Sequence, residues 1–89
     1  MDSATATVTM FSTQWCGYCH RLKAQMNRAG IEFEEIDIEA DEAAALIVES
    51  ANEGNRTVPT IRYSDGYTVG NPSIAAVIAT VDELESALI

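Results

Sequence analysis

From Thr5 to Phe11 the chain is β-branched and apolar, with Val8 and Met10 on one side of an alternation, and this predicts a strand. Ser12 to Trp15 read as a loop. From Cys16 to Ala29 the period changes: Cys19, Leu22 and Met26 fall at helical spacing, and Gly30 is a natural stop because glycine accepts the left-handed conformation that ends many helices. Ile31 to Ile38, rich in isoleucine and phenylalanine, predicts a second strand. Asp41 can cap a second helix that runs through Leu46, Ile47 and Ala51 to a stop at Gly54.

Val58 to Tyr63 predicts a third strand, with Pro59 near its start because proline cannot donate a ladder hydrogen bond. Asp65-Gly66 is a hairpin signal, so Tyr67 to Val69 should form a fourth strand antiparallel to the third. Asn71 followed by Pro72 reads as a cap and first helical residue. Ile74, Val77, Ile78, Val81, Leu84 and Leu88 then make a long apolar stripe. A capping-box pattern at Thr80 and Glu83 predicts that this last helix is kinked or split.

The expected order is β-α-β-α-β-β-α, an α/β chain whose first β-α-β unit crosses over right-handed and makes its strands parallel. With the antiparallel hairpin, the result is a four-stranded mixed sheet flanked by helices. At 89 residues this is one domain spanning 1–89. The 47% of apolar residues suffices for a core without metal or cross-links. No apolar run approaches the roughly 18 residues of a membrane span. The opening Met1 to Thr5 does not read as a secretion signal, so a cytoplasmic location is expected. A net charge of −9 argues against nucleic acid and against an anionic membrane surface as partners.

Two cysteines, Cys16 and Cys19, are the only ones in the chain. A disulfide across so small a loop restricts little chain entropy, so a purely structural staple is a poor explanation. Their place is more telling: they sit where the first strand feeds the first helix, at the carboxyl end of a strand in an open sheet. A helix start carries unpaired N–H groups and a partial positive charge, which favour a thiolate over the free thiol, whose pKa is about 8.5. The spacing therefore predicts an exposed nucleophile at Cys16 and a deeper, resolving thiol at Cys19, the signature of thiol–disulfide chemistry.

Other readings of the same residues are weaker. Cys16 to His20 also fits the C-x-x-C-H of covalent haem attachment, but the β-α-β surroundings are wrong for a small haem carrier. A closed zinc site needs four ligands, and two cysteines with one histidine fall short, so no metal is expected. A non-catalytic binding module would not need both cysteines intact. His20, Arg21 and Lys23 are expected as solvated helix-surface residues rather than catalytic groups. Trp15 could belong to the core or cover the site.

The string Trp15-Cys16-Gly17-Tyr18-Cys19 resembles a glutaredoxin active site, and Thr57-Val58-Pro59-Thr60 resembles the T-V-P segment of that family. Essentially the whole chain shares the likeness, which implies a thioredoxin-like (glutaredoxin) fold. By resemblance Pro59 should be cis and face the cysteines, Val58 should present its N–H and C=O to an incoming disulfide, and Trp15 should stand at the site rim. The implied substrate-binding residues are Trp15, Gly17, Tyr18, Thr57, Val58 and Pro59.

More closely, Gly17 in the usual proline position, Gly54-Asn55-Arg56-Thr57-Val58-Pro59-Thr60, and Asp65-Gly66 followed by Asn71-Pro72-Ser73 resemble the mycoredoxins. These are actinobacterial glutaredoxin-like proteins that use mycothiol in place of glutathione. Ordinary glutaredoxins carry Lys or Arg where this chain has Thr13, and Gly-Gly with an acidic residue where it has Gly70-Asn71-Pro72-Ser73. Those features suit the charged ends of glutathione, whereas mycothiol is a neutral sugar conjugate of cysteine. The resemblance implies a monomer without a bound cofactor. Mycothiol would be its co-substrate rather than glutathione, and mycothiolated or disulfide-bonded proteins its partners. The alternatives are a general protein-disulfide reductase served by glutathione or a flavoprotein reductase, and an iron–sulfur carrier bridging two subunits.

Overall fold

Strand β1 (Val8–Ser12) lies at the centre of the computed structural model, which describes residues 8–87. It is followed by α1 (Gly17–Arg28), β2 (Glu34–Asp37), α2 (Glu42–Ala51), β3 (Thr60–Tyr63), β4 (Thr68–Gly70) and α3 (Ile74–Ala87). The predicted β-α-β-α-β-β-α order holds. Thr5 to Thr7 of the first expected strand, and Leu88 of the last stripe, lie outside the described residues.

The sheet has the order β2-β1-β3-β4, with β1 and β2 parallel and the other pairings antiparallel. It is the expected four-stranded mixed sheet. Met10 pairs with Ile61 and Val8 with Tyr63, which puts these four side chains on one face. There they pack with Cys16, Cys19, Leu22 and Met26 from the α1 segment and Val77 and Val81 of α3. Phe11 points the other way and joins Ile38 with Ala44, Ala45 and Val48 of α2. Each fully buried large side chain here stabilises the fold by about 1.5–3 kcal/mol relative to exposure.

Several boundaries differ from the sequence reading, each for a local reason. The second strand starts at Glu34 instead of Ile31, because the Ile31 N–H donates to the Met26 carbonyl at 3.0 Å and Gly30 takes a φ of +76°. With Gly30 N–H on Asn27 O, this is the Schellman closure of α1, and it removes Ile31 from the ladder. The hairpin places β4 one residue later than expected: the Tyr67 N–H is held by Asp65 Oδ1 at 3.0 Å, while Gly66 sits at φ +93°. On α2, Leu46 and Ala51 are exposed, and Ala44, Ala45 and Val48 make the buried stripe.

The last helix is continuous and not split. The Thr80 hydroxyl donates back to the Ala76 carbonyl at 2.9 Å, a mid-helix bond that leaves no capping box. Its cap is Ser73, whose Oγ accepts the Ala76 N–H at 3.1 Å, and not Asn71. Asn71 instead adopts φ +48° and gives its N–H to the Pro59 carbonyl at 2.6 Å. Ile78 faces outward, so the buried stripe of α3 runs through Val77 and Val81. Among the described residues no helix is long and apolar enough to cross a membrane.

Candidate redox site

Cys16 is the N-cap of α1, with extended backbone at φ −87° and ψ 108°. Its sulfur turns inward over the first turn and accepts the Cys19 N–H at 3.1 Å. One of the unpaired donors at the helix start is thereby directed at the sulfur, an interaction that strengthens when the sulfur carries negative charge. The same Sγ lies 3.7 Å from the Val58 carbonyl oxygen, toward which a thiol proton can point. The expected exposed nucleophile is in fact buried, at 5% exposure. Capping turns the side chain inward, and the 57–59 loop crosses above it.

Cys19 lies one turn deeper, in the core with Leu22 and Met26. Burial, followed by its position beside the Cys16 sulfur, pushes the Cys19 thiol up from the ordinary 9.0 to about 12. The two sulfurs are therefore unequal. Both are free thiols here.

The 57–60 segment is fixed from two sides. The Val58–Pro59 peptide is cis, as the resemblance implies. The Thr60 hydroxyl donates to the Thr57 carbonyl at 2.7 Å and receives Asn52 Nδ2 at 3.2 Å. Asn52 also reaches the Val48 carbonyl at 2.8 Å, so the end of α2 is tied to this loop. A Cβ added at Gly70 would collide with the Asn52 side chain, which explains glycine at that strand position.

The remaining candidates fall around Cys16. Trp15 and Tyr18 are exposed on the surface, and Tyr18 lines a groove of about 370 Å³ with Arg21, Gln25, Asn71 and Ser73. Gly17 has open space where a side chain would stand, so packing does not require glycine there. His20 is exposed as expected, with Nε2 3.0 Å from the Gln14 carbonyl oxygen. Lys23 is half-buried and engaged: its ammonium lies 2.9 Å from Glu35 Oε1, and Ser12 donates to Glu35 Oε2 at 2.8 Å. Partial burial opposes ionisation of Glu35, but the hydrogen bonds from Lys23 and Ser12 prevail and hold its carboxyl below the usual range.

Two residues were not singled out from sequence. Glu39 accepts the Trp15 indole N–H at 3.0 Å, and Asn52 braces the 57–60 loop. Gly70 lies one residue past the predicted fourth strand, so it does not read as a strand glycine marking a close approach to the second. Nothing local marks the first. Among the described residues there is no cluster of three or more His, Cys, Asp or Glu suited to a metal.

A cysteine pair at the strand-to-helix junction of this fold, one thiol capping the helix and one beneath it, defines a thiol–disulfide oxidoreductase. Known proteins agree. The family profile described as Glutaredoxin matches residues 8–67. Mycoredoxin 1 of Corynebacterium glutamicum is 46% identical over 79 residues, 89% of this chain and 98% of that protein. A Mycobacterium tuberculosis protein carrying the glutaredoxin name is 52% identical over 69 residues, 78% of this chain and 82% of its own. The solution structure of glutaredoxin from Brucella melitensis superposes with a TM-score of 0.70 at 27% identity, covering 99% of this chain and 94% of that one. The chain belongs to the glutaredoxin family.

Proposed function

We propose that this protein reduces mixed disulfides between proteins and mycothiol, with Cys16 as nucleophile, Cys19 as resolving thiol and mycothiol as co-substrate in preference to glutathione. The reading takes residues 1–89 as one monomeric, cytoplasmic domain with no resident cofactor, metal, nucleic acid or membrane partner. Trp15, Gly17, Tyr18, Thr57, Val58 and Pro59 form its substrate surface. The observation that carries it is the pairing of the helix-capping sulfur of Cys16 with 46% identity to a mycoredoxin across nearly that protein's whole length.

In the first step the Cys16 thiolate attacks the mycothiol sulfur of the mixed disulfide, and the protein sulfur leaves with the bonding electron pair and takes a proton. The Cys19 N–H, aimed at Cys16 Sγ, stabilises the attacking thiolate. The adduct then has two exits. A second mycothiol thiolate can attack its mycothiol sulfur, giving mycothiol disulfide and free Cys16. Alternatively, Cys19 can lose its proton and attack Cys16, which releases mycothiol and closes an internal disulfide. Burial opposes ionisation of the Cys19 thiol, so the internal route requires that proton to be removed first.

The test is turnover of one mycothiolated client with mycothiol and a matched glutathionylated client with glutathione. Mycothiol should be preferred. C16S should abolish turnover by either route, and C19S should keep most of it where the external route dominates. Equal or better turnover with glutathione would overturn the co-substrate assignment.

A further inference from the structure

Beside Cys16, away from the 57–59 loop, the strand-to-helix loop faces the turn after β2. Two features coincide there. Trp15, the sole tryptophan of the chain, is 71% exposed, yet its indole is not loose: Glu39 holds the ring N–H at 3.0 Å and leaves the aromatic faces free. Next to it lies a pocket of about 320 Å³ walled by polar residues, namely Ser12, Thr13, Gln14, His20, Lys23, Glu35 and Asp37. The volume is at the small end of ligand sites. The two features join through the turn, where the Glu39 N–H donates to Asp37 Oδ1 at 2.9 Å.

The chemistry of the walls limits what fits. Glu35 and Asp37 supply carboxylates to the walls, Glu39 adds one beside them at Trp15, and the lysine present, Lys23, is already paired with Glu35. An anionic group such as a peptide carboxylate meets uncompensated like charge. A neutral polyhydroxy ring meets acceptors for its hydroxyls and an aromatic face for its C–H surface. Thr13 also lines the pocket; it is 4% exposed, and its buried hydroxyl has no hydrogen-bond partner among the described residues. Buried polar groups rarely stay unpaired without cause.

We propose that the Trp15 face, Glu39 and the adjoining polar pocket form a carbohydrate subsite that receives the neutral sugar portion of the co-substrate thiol while its sulfur is joined to Cys16. The inference rests on the mycothiol reading above and names the residues that would produce the preference. Sugar hydroxyls donate to Glu39 and Asp37, and one ring lies on the indole. Glutathione, with carboxylates at both ends, gains neither contact.

Because Trp15 is the single tryptophan, its fluorescence reports the subsite directly. The Cys19→Ser protein is converted chemically to its Cys16 mixed disulfide with mycothiol, and separately with glutathione, and acrylamide quenching of each is compared. A sugar ring covering one indole face should lower quenching in the mycothiol adduct about twofold relative to the glutathione adduct. Glu39→Ala, at an exposed position checked by its melting temperature, should abolish that difference. Equal quenching in the two adducts, or a difference untouched by Glu39→Ala, overturns the subsite. Its failure is separable from failure of the proposed function: a protein that turns over mycothiol mixed disulfides selectively but shows equal quenching keeps the function and loses this site.

Discussion

The backbone N–H of Cys19 points at the sulfur of Cys16, 3.1 Å away, so the deeper cysteine braces the one that caps the helix. The contact makes the pair asymmetric. One sulfur sits among helix-start donors beside the Val58 carbonyl, and the other is enclosed by Leu22, Met26 and the sheet.

Asymmetry makes stability depend on alkaline pH. The Cys19 thiol titrates near 9.0 when the chain is unfolded and near 12 in the fold, where burial and the neighbouring sulfur oppose its ionisation. The folded state thus binds the proton more tightly, and the stability linked to it is complete below about pH 9 and declines as pH rises toward 12. Urea unfolding of the reduced protein and of Cys19→Ala, compared from about pH 7 to 11, should show the wild type losing ground to the variant as pH increases. Parallel curves would contradict the buried, neutral thiol.

Thr13 carries a buried hydroxyl with no partner among the described residues. The substitution Thr13→Val puts a methyl group in its place, which removes a desolvated polar atom without opening a cavity. Thermal unfolding should show a gain of about 1 kcal/mol. A loss of similar size would mean that the hydroxyl has a partner in solution.

Gly70 stands against the side chain of Asn52, with Thr57 Cγ2 3.2 Å from where a Cβ would lie. Gly70→Ala should cost about 1–3 kcal/mol by overpacking. Because the obstacle is a side chain, Asn52→Ala in the same protein should recover part of that loss. Additive effects of the two substitutions would refute the collision. The predicted coupling can be read from the two singles and the double by denaturant unfolding.

The sheet, the element order and the cysteine pair were legible from sequence, because each is written in local periods and spacings. Val8 and Met10 alternate and share one face in the fold, while Phe11 fills the core on the other. Helix ends were harder. Ile31 looks like strand until the Schellman bond takes its N–H, and Asn71 looks like a cap until its left-handed φ turns its amide to Pro59. Contacts between distant segments were out of reach: Trp15 with Glu39, Asn52 with Thr60 and Ser12 with Glu35 join positions that no periodicity relates. The burial of Cys16 belongs to the same class, since it depends on a loop 42 positions away.

The central claim is that the helix-capping sulfur, and not its deeper neighbour, receives the thiol of the substrate. Brief reaction of Cys19→Ser and Cys16→Ser with a mycothiolated peptide, followed by intact mass and peptide mapping, tests it directly. Cys19→Ser should accumulate one mycothiol adduct, mapped to Cys16, and Cys16→Ser should accumulate none. An adduct on Cys19 in the Cys16→Ser protein, formed at a comparable rate, would contradict the account.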